Sequence, residues 1–322
     1  MALADIAAQN LLSPMALFFA LGFAAALARS DLAVPEAVAK LLSLYLLMSI
    51  GFKGGVEVAH HGLTRPLATT IGAGVLLSFA LPFVAYALLR ATTRVSPVDA
   101  ASIAGHYGSI SAVTFAAVTG VLTQLAIPYE GFFPAVAAAM ETPAIFAALA
   151  IAGASGRKGA APGMLREIAL NGSIVMLLGS FVIGAISGGR GMTMLKPFIV
   201  DPYAGFLCLF LLDMGLVAGR GLAKGRRYIT PALGVFAIAM PLVGACCAAA
   251  LAWAIGLSAG GAAVLITLAA SASYIAAPAA MRLALPEANP GIALTLSLAL
   301  TFPFNLLVGI PLYIAAARHI AS

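Results

Sequence analysis

The sequence predicts an all-α polytopic membrane protein: ten transmembrane helices in a 5+5 inverted-topology repeat, with the fourth and ninth helices broken. Three observations carry that prediction. Of 322 residues, 62% are hydrophobic and only 9% charged, and the mean hydropathy is +1.07. No soluble domain keeps so little charge on its surface. The apolar residues fall into runs that approach the roughly 20 residues a bilayer requires, enough for about ten spans with short loops. Motifs of the first five runs recur, in order, in the last five.

The first span covers residues 11–28 and stops at Arg29-Ser30-Asp31. The second, 35–58, contains GFKGG (51–55) and carries Lys40, Lys53 and Glu57 on apolar turns. Lys53 and Glu57 lie one helical turn apart and are expected to neutralise each other. His60, His61 and Arg65 mark the next loop. The third span, 66–89, closes with Arg90 and Arg94, and the fourth, 97–125, holds ASIAGHYGSISAVT (101–114). That mixture of hydroxyls, histidine and glycine has no use in lipid, where every polar group needs a partner. Glycine weakens the helix further, so a break is expected near Gly108. The fifth span, 131–153, carries Glu141-Thr142-Pro143. Five more follow at 169–188, 198–219, 230–256, 260–283 and 290–317.

Residues 1–153 therefore form a first repeat and 169–322 a second, joined by the polar linker 154–168. With ten spans both termini lie on one side. The loops after spans one, three, five, seven and nine hold eleven Lys and Arg, among them Arg157, Lys158, Arg166, Arg226, Arg227 and Arg282, against four on the other side. The positive-inside bias puts the linker in the cytoplasm and both termini outside. The net charge of +6 reflects this orientation, not a nucleic-acid surface. Cys208, Cys246 and Cys247 sit in apolar runs without metal-ligand spacing, so neither a disulfide framework nor a transition-metal site is expected, and the three are read as packing residues. The N-terminal residues lack a basic region before the apolar run, and no cleaved signal peptide is expected.

The repeat rests on four matches. LLMSIGFKGG (46–55) echoes LLDMGLVAGR (211–220), and SISAVTFAA (109–117) echoes SASYIAAPA (271–279) at an offset of 162. Glu141-Thr142-Pro143-Ala144 echoes Thr301-Phe302-Pro303-Phe304 at 160, and Pro66 and Pro231 each open a third span. An odd number of spans per repeat turns the second copy upside down. Inverted repeats of this kind hold their site at the midplane, between discontinuous helices.

Ser109 and Ser111, with Ser271 and Ser273, are thus the leading candidates. A half-helix N-terminus carries about half a positive charge, so two aimed at one spot suit a small oxyanion without Arg or Lys. Carbonyls of the preceding half-helices, and nearby hydroxyls, suit Na⁺. Small residues that let helices approach would read the same at one cluster; two clusters at matching repeat positions favour a site. Glu141 and Asn305, near the Pro-interrupted middles of spans five and ten, are candidates for the ion or for the residues behind it. His106 is expected to be a satisfied hydrogen-bonding residue. GxSxG, HExxH and phosphate-loop patterns are missing from any context that would make them catalytic, so no enzyme and no cofactor is expected beyond Na⁺ as coupling ion.

GHYGSISAVTFAAV (105–118), SASYIAAPAAMRLALPEANP (271–290) and LTFPFNLLVGIPLY (300–313) resemble SbtA-type sodium-dependent bicarbonate transporters, and the likeness covers essentially the whole chain. The resemblance implies a fold related to the bile-acid/sodium symporters. Helices 1, 2, 6 and 7 would form a gate domain, and helices 3–5 and 8–10 a core domain whose helices 4 and 9 cross. It further implies Na⁺-coupled uptake of bicarbonate, a homotrimer in a bacterial inner membrane, and a PII-like regulatory partner on the cytoplasmic face. Carried onto this chain, the anion would lie between Gly108, Ser109, Ile110 and Ser111 on one side and Ala270, Ser271, Ala272 and Ser273 on the other. Na⁺ would be held or backed by Gly105, Tyr107, Thr114, Glu141 and Asn305. Another small anion as substrate, a cation/proton antiporter using Glu141 or Asp213, and a membrane sensor or scaffold stay open as alternatives.

Overall fold

The computed structural model describes residues 3–62, 64–154, 170, 172–225, 229–274, 277–278, 280–281 and 285–321. The linker at 155–168, with Arg157, Lys158 and Arg166, lies outside the described residues, as do Arg226, Arg227 and Arg282. Among the described residues the chain is helical, without a strand. The helices are α1 (Leu3–Leu11), α2 (Pro14–Leu27), α3 (Glu36–His61), α4 (Arg65–Thr92), α5 (Pro97–Gly108), α6 (Ala112–Gln124), α7 (Phe133–Ala154), α8 (Gly172–Ile199), α9 (Tyr203–Gly225), α10 (Pro231–Ala254), α11 (Ala259–Ala269) and α12 (Pro290–Ile320).

Most helix starts are written locally. Ser13-Pro14, Ser96-Pro97, Thr230-Pro231 and Asn289-Pro290 each put a capping side chain before a proline whose missing N–H costs nothing in the first turn. Thr64 caps α4 in the same way, with Pro66 in its first turn. Among the described residues seven helices, α3, α4, α7, α8, α9, α10 and α12, are long and apolar enough to cross a membrane alone. α2 and α11 are shorter apolar helices, and α5 and α6 are two short helices where one span was expected.

Close backbone contact organises one side of the bundle. α2 packs along α9, and α3 along α8. At Gly55 an added Cβ would overlap the Phe181 carbonyl, and at Gly51 the Leu177 carbonyl. At Gly215 it would overlap the Phe19 carbonyl, and at Gly219 it would meet Ala26 and the Phe23 carbonyl. Each pair is a small-xxx-small stripe against a neighbouring backbone, the packing that drives helix association in lipid. On the other side, α4 packs on α5 and α7, and α11 on α10 and α12. α5, α6 and α11 are buried nearly throughout, whereas α8 keeps Val182, Ile183 and Ile186 on the outside.

Three expectations are corrected. A short helix, α1, precedes the first span, which starts at Pro14 and not at residue 11; Asn10 ties α1 to α12 by donating to the Leu306 carbonyl at 2.8 Å. The stretch 189–197, expected to be a loop, is helical: the helix is interrupted at Gly188, whose φ of 54° glycine takes without penalty, and a second helical segment runs on to Ile199, so Arg190 and Lys196 are helical. Of the three cysteines only Cys208 is buried; Cys246 and Cys247 are exposed on α10.

Candidate functional site

Two interruptions meet inside this bundle. α5 stops at Gly108, where an added Cβ would overlap the Pro82 ring, so the glycine lets the helix end press against α4. Ser109 (φ −87°, ψ 140°) and Ser111 (φ −100°, ψ 112°) are extended. The chain then re-enters a helix with Ser111 as N-cap of α6, its Oγ accepting from the Thr114 N–H at 3.2 Å. In the second half α11 ends at Ala269, residues 271–273 are non-helical, and the Ser273 Oγ accepts from the Ala277 N–H at 3.1 Å. Serines 162 positions apart thus each accept from a backbone N–H downstream, three residues on at Ser111 and four at Ser273.

The two breaks are bonded to each other. The Ser273 N–H donates to the carbonyls of His106 (2.8 Å) and Ser109 (3.1 Å). The Ser111 N–H donates to the Ser271 Oγ at 2.9 Å, and that hydroxyl donates onward to the Leu268 carbonyl at 2.7 Å. His106 Nδ1 lies 2.7 Å from the Ser273 carbonyl; a carbonyl only accepts, so the ring donates through Nδ1. The histidine is a satisfied hydrogen-bonding residue, as expected. All four serines are at most 3% exposed, yet the Ser109 Oγ has no hydrogen-bond partner. A buried hydroxyl without a partner is costly, and a ligand would relieve it.

Residues of α12 buttress the junction. Asn305 donates through Nδ2 to the Ala270 carbonyl at 2.8 Å and accepts at Oδ1 from the Tyr313 hydroxyl at 2.9 Å. Thr301 donates to the Ala237 carbonyl at 2.7 Å, which leaves Tyr107 as donor in the 2.7 Å contact between the two hydroxyls. Thr301 is the repeat partner of Glu141, and the sequence alone gave no reason to single it out. Gly105 is closely packed: an added Cβ would come 3.0 Å from the Ala148 Cβ and 3.1 Å from Met281. Glu141 is 4% exposed on α7, and its Oε2 has no partner. Ile110, Ala270 and Ala272 are buried in the junction.

Carboxylates brace the starts of both α5 and α11. Asp99, in the first turn of α5, accepts from the Asn289 N–H at 2.7 Å. Glu130 accepts from the Ser258 N–H and Oγ, each at 3.0 Å, at the start of α11. Residues 256–260, Gly-Leu-Ser-Ala-Gly, have hydrolase-like spacing, but Ser258 is the N-cap of α11, accepting from the Gly261 N–H at 3.0 Å. Lys53 holds its ammonium 4.4 Å from the centre of the Tyr203 ring, a cation–π contact across α3 and α9 that spacing along one helix could not reveal.

A multi-pass helical bundle in which two interrupted helices meet at a buried junction has the architecture of a membrane transport protein. The model of the Na⁺-dependent bicarbonate transporter superfamily matches residues 14–318, and the chain belongs to that superfamily. A search of curated proteins finds no match.

Proposed function

We propose that this protein is a secondary active transporter that carries bicarbonate inward with Na⁺ by alternating access, from the inner membrane of a bacterium. In this reading the chain has ten spans in a 5+5 inverted repeat, counting α2, the α5–α6 pair and the region of α11 with 277–281 as spans. α2, α3, α8 and α9 form the gate domain, the remaining spans the core, and three copies assemble. The reciprocal packing of α2 on α9 and α3 on α8 supports the repeat, since an inverted two-fold exchanges one contact for the other.

The observation that carries the reading is the junction itself: two non-helical serine segments, hydrogen-bonded together and buried, with the Ser109 hydroxyl unpartnered. Helix N-termini suit the anion, and carbonyls of the preceding half-helices suit Na⁺. A neighbouring Na⁺ offsets the anion's charge in a low-dielectric interior, where bicarbonate alone would be costly. An inside-negative potential contributes about 2.3 kcal/mol per net positive charge per 100 mV, so more than one Na⁺ per anion would make uptake voltage-driven.

The test is uptake of labelled bicarbonate into proteoliposomes. Uptake should require an inward Na⁺ gradient, and Ser111→Ala and Ser273→Ala should each lower it at least several-fold in protein that still assembles. Uptake indifferent to Na⁺ would sink the proposal. Na⁺-driven pH change in bicarbonate-free vesicles would instead favour cation/proton exchange through Glu141.

A further inference from the structure

A second polar enclosure lies away from the junction, at the end of the bundle where α2 begins and α3 and α6 finish. It is a cavity of about 960 Å³ lined by α2, α3, α6, the turn at 125–131 and the first turns of α9. Lys53 enters it from α3 and Tyr203 from α9, with Thr119 from α6, Tyr129 from the turn and Cys208 from α9. Glu57, one turn beyond Lys53, is exposed at its margin.

The polar groups here are complementary to one kind of ligand. The half-buried Lys53 ammonium has three N–H donors, and the Tyr203 ring face takes up only part of its field. The Tyr203 hydroxyl is buried beside that of Tyr129, and both face the Thr119 hydroxyl. Thr119 spends its own proton on the Phe115 and Ala116 carbonyls, at 3.0 and 3.1 Å, so toward the cavity its oxygen can only accept. The Lys53 ammonium and the two tyrosine hydroxyls as donors, beside the Thr119 oxygen as acceptor, match a monovalent oxyanion that retains one O–H. Thr119 is eight residues beyond Ser111, so the enclosure lies roughly 12 Å along α6 from the junction.

We propose that Lys53, Tyr203 and Thr119 form an outer site for such a protonated oxyanion, hydrogencarbonate in the transport cycle, where it waits before reaching the junction. The identity of the anion rests on the transport reading above; the site itself does not.

Cys208 supplies an internal probe. In a Cys246→Ser, Cys247→Ser background, N-ethylmaleimide should alkylate Cys208 of the purified protein, and bicarbonate at constant ionic strength in gluconate should slow that reaction at least threefold. Lys53→Gln should abolish the protection, while Lys53→Arg, which keeps the charge, should retain it. Tyr203→Phe should weaken it. Nitrate, planar and monovalent but without an O–H, should protect less than bicarbonate. Unchanged alkylation in bicarbonate, or equal protection in Lys53→Gln, would overturn the site, and equal protection by nitrate would overturn the part given to Thr119. In proteoliposomes Lys53→Gln should raise the KM for bicarbonate about fivefold while the maximal rate changes less than twofold; a fall in maximal rate at constant KM would make Lys53 a packing residue. If the wild-type protein takes up no bicarbonate but Cys208 is still protected through Lys53, the transport reading fails and the outer site stands.

Discussion

The two interrupted helices solve the same problem with unequal means. Each places a serine hydroxyl on a downstream backbone N–H, Ser111 as the cap of α6 on one side and Ser273 on the other. Each has a carboxylate at its outer end, but Asp99 belongs to the crossing helix itself, whereas Glu130 reaches α11 from a loop. The sharper difference is inside the break, two residues before Ser111 and Ser273. Ser271 is fully engaged, accepting from the Ser111 N–H and donating to the Leu268 carbonyl, while the matching hydroxyl of Ser109 has no partner. A repeat gives two copies of a scaffold; a small, asymmetric ligand requires that the copies diverge where they touch it. The second break is the braced half and the first is the half left open.

The largest test of that contrast is Asn305. It holds the Ala270 carbonyl and receives the Tyr313 hydroxyl, both buried, whereas its repeat position in the first half is the apolar Ile145. Asn305→Leu strands a carbonyl and a hydroxyl and should cost about 2–6 kcal/mol, at 1–3 kcal/mol for each buried group. Ile145→Leu, a volume-conserving change, should cost less than about 1.5 kcal/mol. Thermal unfolding in detergent would measure both, and comparable losses would mean that the brace is not particular to the second half.

Next in size are the glycine stripes, where the halves are expected to agree. Gly55→Ala pushes a methyl into the Phe181 carbonyl and Gly215→Ala into that of Phe19, so each should destabilise by about 1–3 kcal/mol and by similar amounts. Gly72 in α4 has nothing within 4 Å of an added Cβ, and Gly72→Ala should stabilise by about 0.5–1 kcal/mol. If only one of the two interface glycines matters, the equivalence of the α2–α9 and α3–α8 contacts is lost, and with it the best support for an inverted repeat.

How much of this was legible in the sequence follows from how local each cause is. Helix starts at Ser13-Pro14, Thr230-Pro231 and Asn289-Pro290 are written in adjacent residues, and the break after Gly108 in one cluster of Gly and Ser. That Ser109–Ser111 should face Ser271–Ser273 followed from the 162-residue offset, and the hydrogen bonds between them agree. The charges at Arg190 and Lys196 misled because charge suggests a loop, while past the non-helical Gly188 a second helical segment carries both. α12 turns π-helical at Thr295–Thr301 and Asn305–Gly309, each run just before a proline, Pro303 and Pro311. A proline ring excludes the carbonyl four residues back, here Ala299 and Leu307, so those carbonyls are pushed out of the α-helical register. The bonds of Asn305 to Ala270 and of Glu130 to Ser258 join distant segments and have no local trace.

The smallest expected effect is the most discriminating. Ser271→Ala removes the acceptor of the Ser111 N–H and should cost about 1–2 kcal/mol of stability in the absence of ligand, because a buried donor loses its partner. Ser109→Ala removes a hydroxyl that bonds to nothing within the protein, so the ligand-free protein should be unchanged or stabilised by up to about 1 kcal/mol. Stabilisation by saturating Na⁺ and bicarbonate should show the reverse order. A ligand that bonds the Ser109 hydroxyl loses one hydrogen bond in Ser109→Ala, about 0.5–1.5 kcal/mol or two- to tenfold in affinity. Melting curves of the two variants, with and without both ions, therefore separate a braced serine from a binding one. Should Ser109→Ala melt like the wild type both with and without ions, its unpartnered hydroxyl would be a packing accident, and the open half of the junction would have to be sought in the backbone N–H groups at the start of α6.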